Sequence, residues 1–343
     1  MLQLINHTAF SASLSVFSDL QGVESVYVIA KASFEISPGG LVLAEKQTPL
    51  FAVDIYWGEP EQTSLRYAGE FSLPKPATDV LLVGNAIAPR ENTRVAEASL
   101  RLGPLSKTLR LFGNRLWRKT DLGWEASMPE VWERMPLRWE LAFGGLAPVK
   151  DGNPAVYEPR NPVGRGFNGI DDRDWLDKPL PNIEDPAQLI RHPADRPTPV
   201  CLAPVAPAWS PRCHYAGTYD AAWQKSRAPY LPLDFDPRFL LTAPSGLVAP
   251  DYLRGGEAVE LSGFSLNGPI RFQLPFCNLK MGFDFYGDIL QPTPQLETVL
   301  IEPDIRRVQL LWRAGIQVDK QLLKLREVVV NCLEYPVNVQ EAA

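Results

Sequence analysis

The chain has 343 residues, of which 45% are hydrophobic and 22% are charged, as in ordinary soluble globular proteins. Its net charge of -6 and the lack of a block of Lys or Arg argue against nucleic acid as a partner. No stretch approaches the roughly eighteen apolar residues of a membrane span, and the first ten residues do not resemble a secretory signal. We therefore expect a cytoplasmic protein.

The N-terminal third has the alternating pattern of antiparallel strands. Apolar residues occupy every second position in residues 11–16 and 24–36, and a polar turn at residues 18–22 lies between the two runs. Period-two alternation places one set of side chains on a buried face, so we predict a hairpin here. Residues 96–102 and 105–111 form a second predicted hairpin around Gly103-Pro104. Residues 79–88 are more continuously apolar and favour an interior strand, whereas residues 57–77 resemble a connecting segment.

Two aromatic runs with embedded charges follow, at residues 112–117 and 136–145. Each is predicted to be a strand that carries one buried and paired charge, because buried charges are normally paired. Residues 146–211 then contain thirteen prolines and lose all periodicity. The apolar residues among them predict an ordered loop layer that packs on the rest of the protein. Asp171, Asp172, Asp174 and Asp177 resemble a calcium loop only superficially, since its glycine and terminal glutamate are missing.

Residues 209–239, called the aromatic segment below, carry the highest density of aromatic side chains, interleaved with Arg and Asp. Thr218 is predicted to cap a short helix over residues 219–227, which Pro229 limits. Such a composition is typical of a specific docking surface or of a tightly packed core corner. The residues chosen for docking are Trp209, Tyr219, Trp223 and Arg227. The alternative is that this helix face packs on the parent sheet.

The C-terminal third again predicts strands, at residues 258–264, 270–274, 280–286, 296–302 and 305–313, with a short helix and a last strand in 317–330. The chain is therefore expected to be mainly β, with antiparallel sheets in a sandwich or barrel-like arrangement and few short helices. We expect an N-terminal β region (1–145), a proline-rich loop layer with a short helix (146–250), and a C-terminal β region (251–343). The last region either completes the same domain or forms a second sandwich.

Catalytic and metal-binding patterns are missing from the sequence. The four cysteines and three histidines fit neither a disulfide framework nor a zinc site, and no nucleophile elbow or phosphate loop is present. We expect no cofactor and no metal.

Several motifs together resemble a known family. They are FGNRLW (112–117), PLRWELAFGG (136–145), NPVGRGF (161–167), LPNIE (180–184), AGTYDAAWQKSRAPYLPLDFDPRF (216–239) and IEPDIRRVQLLWR (301–313). The chain resembles the adaptor family encoded in bacterial type VI secretion clusters, beside PAAR-like spike-tip proteins and toxic effectors. It departs from that pattern just before Trp209 and at residues 245–247.

The resemblance implies a non-enzymatic adaptor or chaperone. Such a protein binds a cognate effector or its PAAR-like domain, helps to load it on the secretion spike, and contacts the spike protein at most indirectly. Two alternatives stay open. One is a carboxylate-dependent hydrolase of β fold that uses Asp234, Asp236 and Glu140. The other is a structural component of the secretion baseplate or spike.

Overall fold

The computed structural model describes residues 2–147, 156–168 and 175–334, and its secondary structure is mainly β, as predicted. The strands are β1 (Gln3–Asn6), β2 (Ser11–Ser18), β3 (Glu24–Ser37), β4 (Gly40–Leu43), β5 (Ile55–Tyr56), β6 (Leu65–Tyr67), β7 (Asp79–Leu82), β8 (Asn85–Ile87), β9 (Val95–Leu102), β10 (Leu105–Phe112), β11 (Trp117–Thr120), β12 (Gly123–Ala126), β13 (Arg134–Pro136), β14 (Phe143–Gly144), β15 (Arg165–Gly166), β16 (Ile183–Glu184), β17 (Ala258–Ser262), β18 (Ile270–Gln273), β19 (Leu279–Phe285), β20 (Asp288–Leu290), β21 (Gln295–Glu302), β22 (Arg307–Gln317) and β23 (Glu327–Cys332).

Helical structure is limited to short elements in the described residues. The α-helix α1 spans Ala221–Ser226, and 3-10 helices span Trp139–Leu141, Arg212–Tyr215, Pro237–Leu240, Pro303–Ile305 and Leu322–Lys324. The described sheets are open, and none of them closes into a barrel. The described part of the chain contains no helix that is long and apolar enough to cross a membrane.

The largest sheet has six strands, in the order β2-β3-β22-β21-β7 with β4 attached to β3. The predicted N-terminal hairpin is confirmed, because β2 pairs antiparallel with β3 around the turn. β7 runs parallel to β21 and is buried along its whole length, as expected of an interior strand. The alternate positions of β3 from Val26 to Phe34 are fully buried and form one wall of the main core.

A five-stranded sheet, in the order β16-β10-β9-β17-β18, contributes buried side chains to the same core. Its centre is the second predicted hairpin, in which Leu102 lies opposite Leu105. A third sheet, in the order β1-β23-β19-β20, also contributes to this core. The sheets combine all three predicted regions, since β7 pairs with β21 and β10 pairs with β16.

The second face of the six-stranded sheet carries both apolar and charged side chains, and residues 44–75 pack on it. This covering includes the predicted connecting segment, which in the structure contains the paired strands β5 and β6. Beneath it lie buried ion pairs that join Lys31 to Glu70 at 2.7 Å and Arg313 to Glu297 at 2.8 Å. Buried charges require partners of this kind. The Lys31–Glu70 pair joins the covering segment to β3, whereas the Arg313–Glu297 pair joins β22 to β21, and Arg313 also donates to the carbonyl oxygens of Ser72 and Glu70 in the covering segment.

The proline-rich layer is ordered where the structure describes it. β16 pairs with β10, and Glu184 at its end forms a buried ion pair with Arg115. The buried and paired charge predicted for residues 112–117 is therefore present, but the run is not one strand, because it lies between the end of β10 and the start of β11. The run 136–145 differs from its predicted strand, because a 3-10 turn separates β13 from β14. Of the superficial calcium pattern, Asp171, Asp172 and Asp174 lie outside the described residues.

Candidate docking surface

The first part of the aromatic segment is anchored in the core. Trp209 is only 5% exposed and packs edge-on against Trp139, with ring centroids 5.8 Å apart. Arg212 donates hydrogen bonds to the carbonyl oxygens of Phe239 at 2.8 Å and Val205 at 2.6 Å. Burial lowers the pKa of the Arg212 guanidinium. Trp209 therefore belongs to the support of the segment and not to its exposed face.

Helix α1 begins later than predicted. Asp220, and not Thr218, is its N-cap, since the Asp220 carboxylate accepts a hydrogen bond from the backbone N–H of Trp223 at 2.8 Å. Aspartate is among the preferred N-cap residues because it satisfies one of the free N–H groups of the first turn. Thr218 instead donates its backbone N–H and its hydroxyl to the Asp234 carboxylate, at 3.0 and 2.7 Å. This contact closes the base of the loop that carries the helix.

The helix stands on the protein surface, and the described residues bury none of its side chains. Tyr219 is 54% exposed and packs edge-on against Trp223 at 4.7 Å between ring centroids. Trp223 is half-buried, and its indole N–H donates to the carbonyl oxygen of Tyr230 at 2.9 Å. Tyr230 and Leu233 are 41% and 86% exposed. We call Tyr219, Trp223 and Tyr230, together with the exposed Leu233 of the same segment, the aromatic patch.

Arg227 fastens this patch to the β2–β3 hairpin. Its guanidinium donates to the carbonyl oxygen of Leu231 within the segment and to that of Leu20 in the hairpin turn, both at 2.9 Å. The ring of Tyr230 packs over Gly22 in the same turn. A Cβ atom at position 22 would lie 3.4 Å from this ring. Of the predicted helix face, only Trp223 lies in α1, because Tyr219 precedes the N-cap and Arg227 is the C-cap. Tyr219 and Trp223 still contact each other, and Arg227 holds the segment on the hairpin turn.

The three carboxylates of the alternative hydrolase all have partners of their own. Asp234 accepts from Thr218, and Asp236 forms an ion pair with Arg238 at 2.5 Å. Glu140 accepts from the backbone N–H and the hydroxyl of Ser64, at 2.8 and 2.7 Å. Hydrogen bonds from Thr218 lower the pKa of Asp234, and hydrogen bonds from Arg238 lower the pKa of Asp236. Such carboxylates are stabilised as anions, unlike a general acid, whose pKa is raised.

Sequence reasoning missed a second cluster of aromatic and basic side chains, formed by Trp57, Arg66 and Arg138. The guanidinium carbons of Arg138 and Arg66 lie 3.5 and 4.3 Å from the centre of the Trp57 ring. Arg138 belongs to the run 136–145, in which a buried and paired charge was expected. The signal was hidden because Trp57 and Arg66 lie in the segment interpreted as a connection.

The architecture and the surface together define a β-rich protein with a rigidly supported, exposed aromatic patch. The chain belongs to the bacterial family described as "Uncharacterized protein conserved in bacteria (DUF2169)", whose family model matches residues 21–313. The match includes the whole aromatic segment and the Trp57 cluster. No curated protein and no solved structure matches the chain.

Proposed function

We propose that the protein is a non-enzymatic adaptor of bacterial type VI secretion, which acts in the cytoplasm. Its client is an effector or the PAAR-like protein that carries the effector to the secretion spike. Two observations support this proposal. The chain is a member of a conserved bacterial family, and its motifs resemble those of the adaptors encoded in type VI secretion clusters.

The exposed aromatic patch is the observation that carries the proposal. Trp and Tyr dominate binding hot spots because they offer large contact areas at a small cost in side-chain entropy. The patch is also preorganised by the Asp220 cap, the Trp223 indole bond and the Arg227 contacts. Preorganisation reduces the entropic cost of association, so contacts made by these residues translate more fully into affinity.

Co-expression with the PAAR-like protein encoded in the same gene cluster, followed by affinity capture, tests the proposal. We expect a stable complex with the wild-type chain. Truncating a hot-spot residue costs about 2 kcal/mol or more, so Tyr219→Ala and Leu233→Ala should each weaken binding by about 30-fold.

Matched controls lie elsewhere on the surface. Tyr286 is 73% exposed and Leu323 is 94% exposed, so Tyr286→Ala and Leu323→Ala remove equivalent side chains outside the patch. Both controls should bind like the wild type, and all four variants should keep its melting temperature. Absence of any complex, together with client solubility that does not depend on this chain, would contradict the adaptor function.

A further inference from the structure

Strand β2 is an open edge of the six-stranded sheet, because in the described part of the chain it pairs with β3 alone. Of its eight residues, only Ser15 is buried. The edge strand on the opposite side of the sheet, β7, is buried at all four positions. Loops cover β7, since the backbone N–H of Val80 donates to the carbonyl oxygen of Leu247 at 2.9 Å. The N–H of Leu82 donates to the carbonyl oxygen of Leu202 at 3.0 Å in the same way.

The hydrogen bonds of β3 show which backbone groups of β2 face the open edge. The N–H of Ile36 donates to the carbonyl oxygen of Arg306 at 2.7 Å. The carbonyl oxygen of Glu24 accepts from the N–H of Val318 at 2.8 Å. The even-numbered residues of β3 therefore bond with the β22 side and the odd-numbered ones with β2, because the residues of a central antiparallel strand alternate between its two neighbours. Odd residues of β3 lie opposite odd residues of β2 in the ladder, so the even-numbered residues of β2 direct their N–H and C=O groups outward.

These outward groups belong to Ala12, Leu14, Val16 and Ser18. None of them forms a hydrogen bond with the backbone of another described residue outside the β2–β3 hairpin. The carbonyl oxygen of Leu14 accepts a long hydrogen bond, of 3.5 Å, from the hydroxyl of its neighbour Ser13. The open edge thus presents a row of free backbone donors and acceptors.

The sequence of β2 does nothing to protect this edge. Folded proteins usually protect edge strands with charged side chains, proline, bulges or short length, because free N–H and C=O groups recruit other strands. The strand SASLSVFS is eight residues long and carries neither charge nor proline, and its pairing with β3 shows no register shift. Two other edge strands follow the usual rule, since β18 has four residues with Arg271 and β20 has three with Asp288.

We propose that β2 accepts an extended segment of the client, which adds to the six-stranded sheet as a seventh strand. This inference rests on the proposed adaptor function and names the way in which the client is held. In strand addition, main-chain hydrogen bonds supply affinity and alternate side chains supply specificity. Leu14 packs against the core and Val16 is 40% exposed on the same face, so the segment should be uncharged, with apolar side chains at alternate positions.

The open edge leads directly to the aromatic patch. The turn after β2 contains Leu20, whose carbonyl oxygen accepts from Arg227, and Gly22, over which the ring of Tyr230 packs. A client strand that runs along β2 towards this turn reaches the patch with its next residues. This continuity is the reason for assigning the edge to the client and not to a second copy of the chain.

Amide hydrogen exchange of the ¹⁵N-labelled full chain, alone and with the unlabelled PAAR-like client, tests the proposal by nuclear magnetic resonance. In the free chain, the N–H groups of the odd-numbered residues of β2 should be protected, and those of the even-numbered residues should exchange rapidly. In the complex, the even-numbered residues should gain about tenfold protection or more, since each acquires a hydrogen bond. Docking through the aromatic patch alone predicts no change in β2.

Variants at position 16 separate the backbone from the side chain. Val16→Pro removes one outward N–H and no bond to β3, and an edge strand tolerates proline at such a position. It should weaken client binding by about tenfold or more, whereas Val16→Ala, which keeps the N–H, should weaken it by less than about threefold.

Val16→Lys tests the edge without proline, because a charge on an edge strand opposes pairing. It should also weaken binding by about tenfold or more. Ile289→Lys is its matched control, since Ile289 is 55% exposed on the edge strand β20, and this variant should bind like the wild type.

The two proposals fail in distinguishable ways. A complex that forms without added protection in β2, or that Val16→Pro and Val16→Lys leave as tight as in the wild type, would overturn strand addition and leave the adaptor function standing. Protection that appears in the chain alone and rises with its concentration would assign the edge to a second copy and overturn the proposal. Absence of any complex would contradict both.

Discussion

The attachment of the aromatic patch to the protein body depends on Arg227, which makes this residue the most informative one to change. Arg227→Ala removes two hydrogen bonds from the guanidinium, to the carbonyl oxygens of Leu231 and Leu20, both at 2.9 Å. The side chain is half-buried, so we assign each bond about 1 kcal/mol, the value of a typical hydrogen bond and below the range for buried charged donors. Their loss favours local opening of the segment by about 2 kcal/mol, or about 30-fold.

Amide hydrogen exchange measures this opening directly. The backbone N–H groups of Gln224, Arg227 and Tyr230 are hydrogen-bonded within the segment, and their protection should fall by up to 30-fold in Arg227→Ala. The core strands should exchange as in the wild type. Lys225→Ala is the control, because the exposed side chain of this lysine, in the same helix, forms no hydrogen bond with the described residues. Unchanged protection in Arg227→Ala would refute the view that this contact fixes the patch.

The remaining predictions concern stability and pH. Arg313→Met should destabilise the protein by about 3–5 kcal/mol in urea unfolding, because the buried carboxylate of Glu297 loses its partner, and replacing both residues by apolar ones should cost much less. Asp234→Ala should reduce the exchange protection of the aromatic segment at pH 7, but the difference should vanish as the pH falls through the lowered pKa of Asp234, below its ordinary value of 3.8. Gly144→Ala should cost about 3 kcal/mol or more in the same urea assay, since φ is +147° and a Cβ atom would lie 2.1 Å from the carbonyl oxygen of Asn161.

Most of the strands could be predicted because local periodicity determines which face of a strand is buried. In β3 the apolar positions alternate without interruption, and this pattern predicted both the strand and its hairpin with β2. The open sheets themselves could not be derived, since strand order depends on contacts between distant residues. The parallel pairing of β7 with β21 joins residues that are more than two hundred positions apart, and no local pattern records it.

The buried charges on the second face of the largest sheet could not be predicted from local patterns either. Lys31 and Arg313 interrupt apolar strands and would be expected on a solvated face. They are buried because a segment that looked like a connection covers them and supplies Glu70. The same segment supplies Trp57 and Arg66. Because it was interpreted as a connection, neither the buried Lys31–Glu70 pair nor the Trp57 cluster was predicted.

The candidate surface was predicted in part. Tyr219 and Trp223 contact each other, as their predicted common face implied, but only Trp223 lies in the helix, because Tyr219 precedes the N-cap and Arg227 is the C-cap. Trp209 lies in the core, and Tyr230 and Leu233 were not chosen, although both belong to the patch. Composition identified the segment, but only the fold decides which of its aromatic residues face outward. The docking role of the patch stays a prediction.

Site-specific photo-cross-linking tests the central claim most directly. A photoreactive phenylalanine derivative is placed at position 219 in the aromatic patch and, as the control, at position 286, and each chain is expressed with the proposed PAAR-like client. If the patch holds the client, irradiation yields a cross-linked product from position 219 and little from position 286. Efficient cross-linking at 286 with none at 219, or no product at either position, would contradict the assignment of this surface.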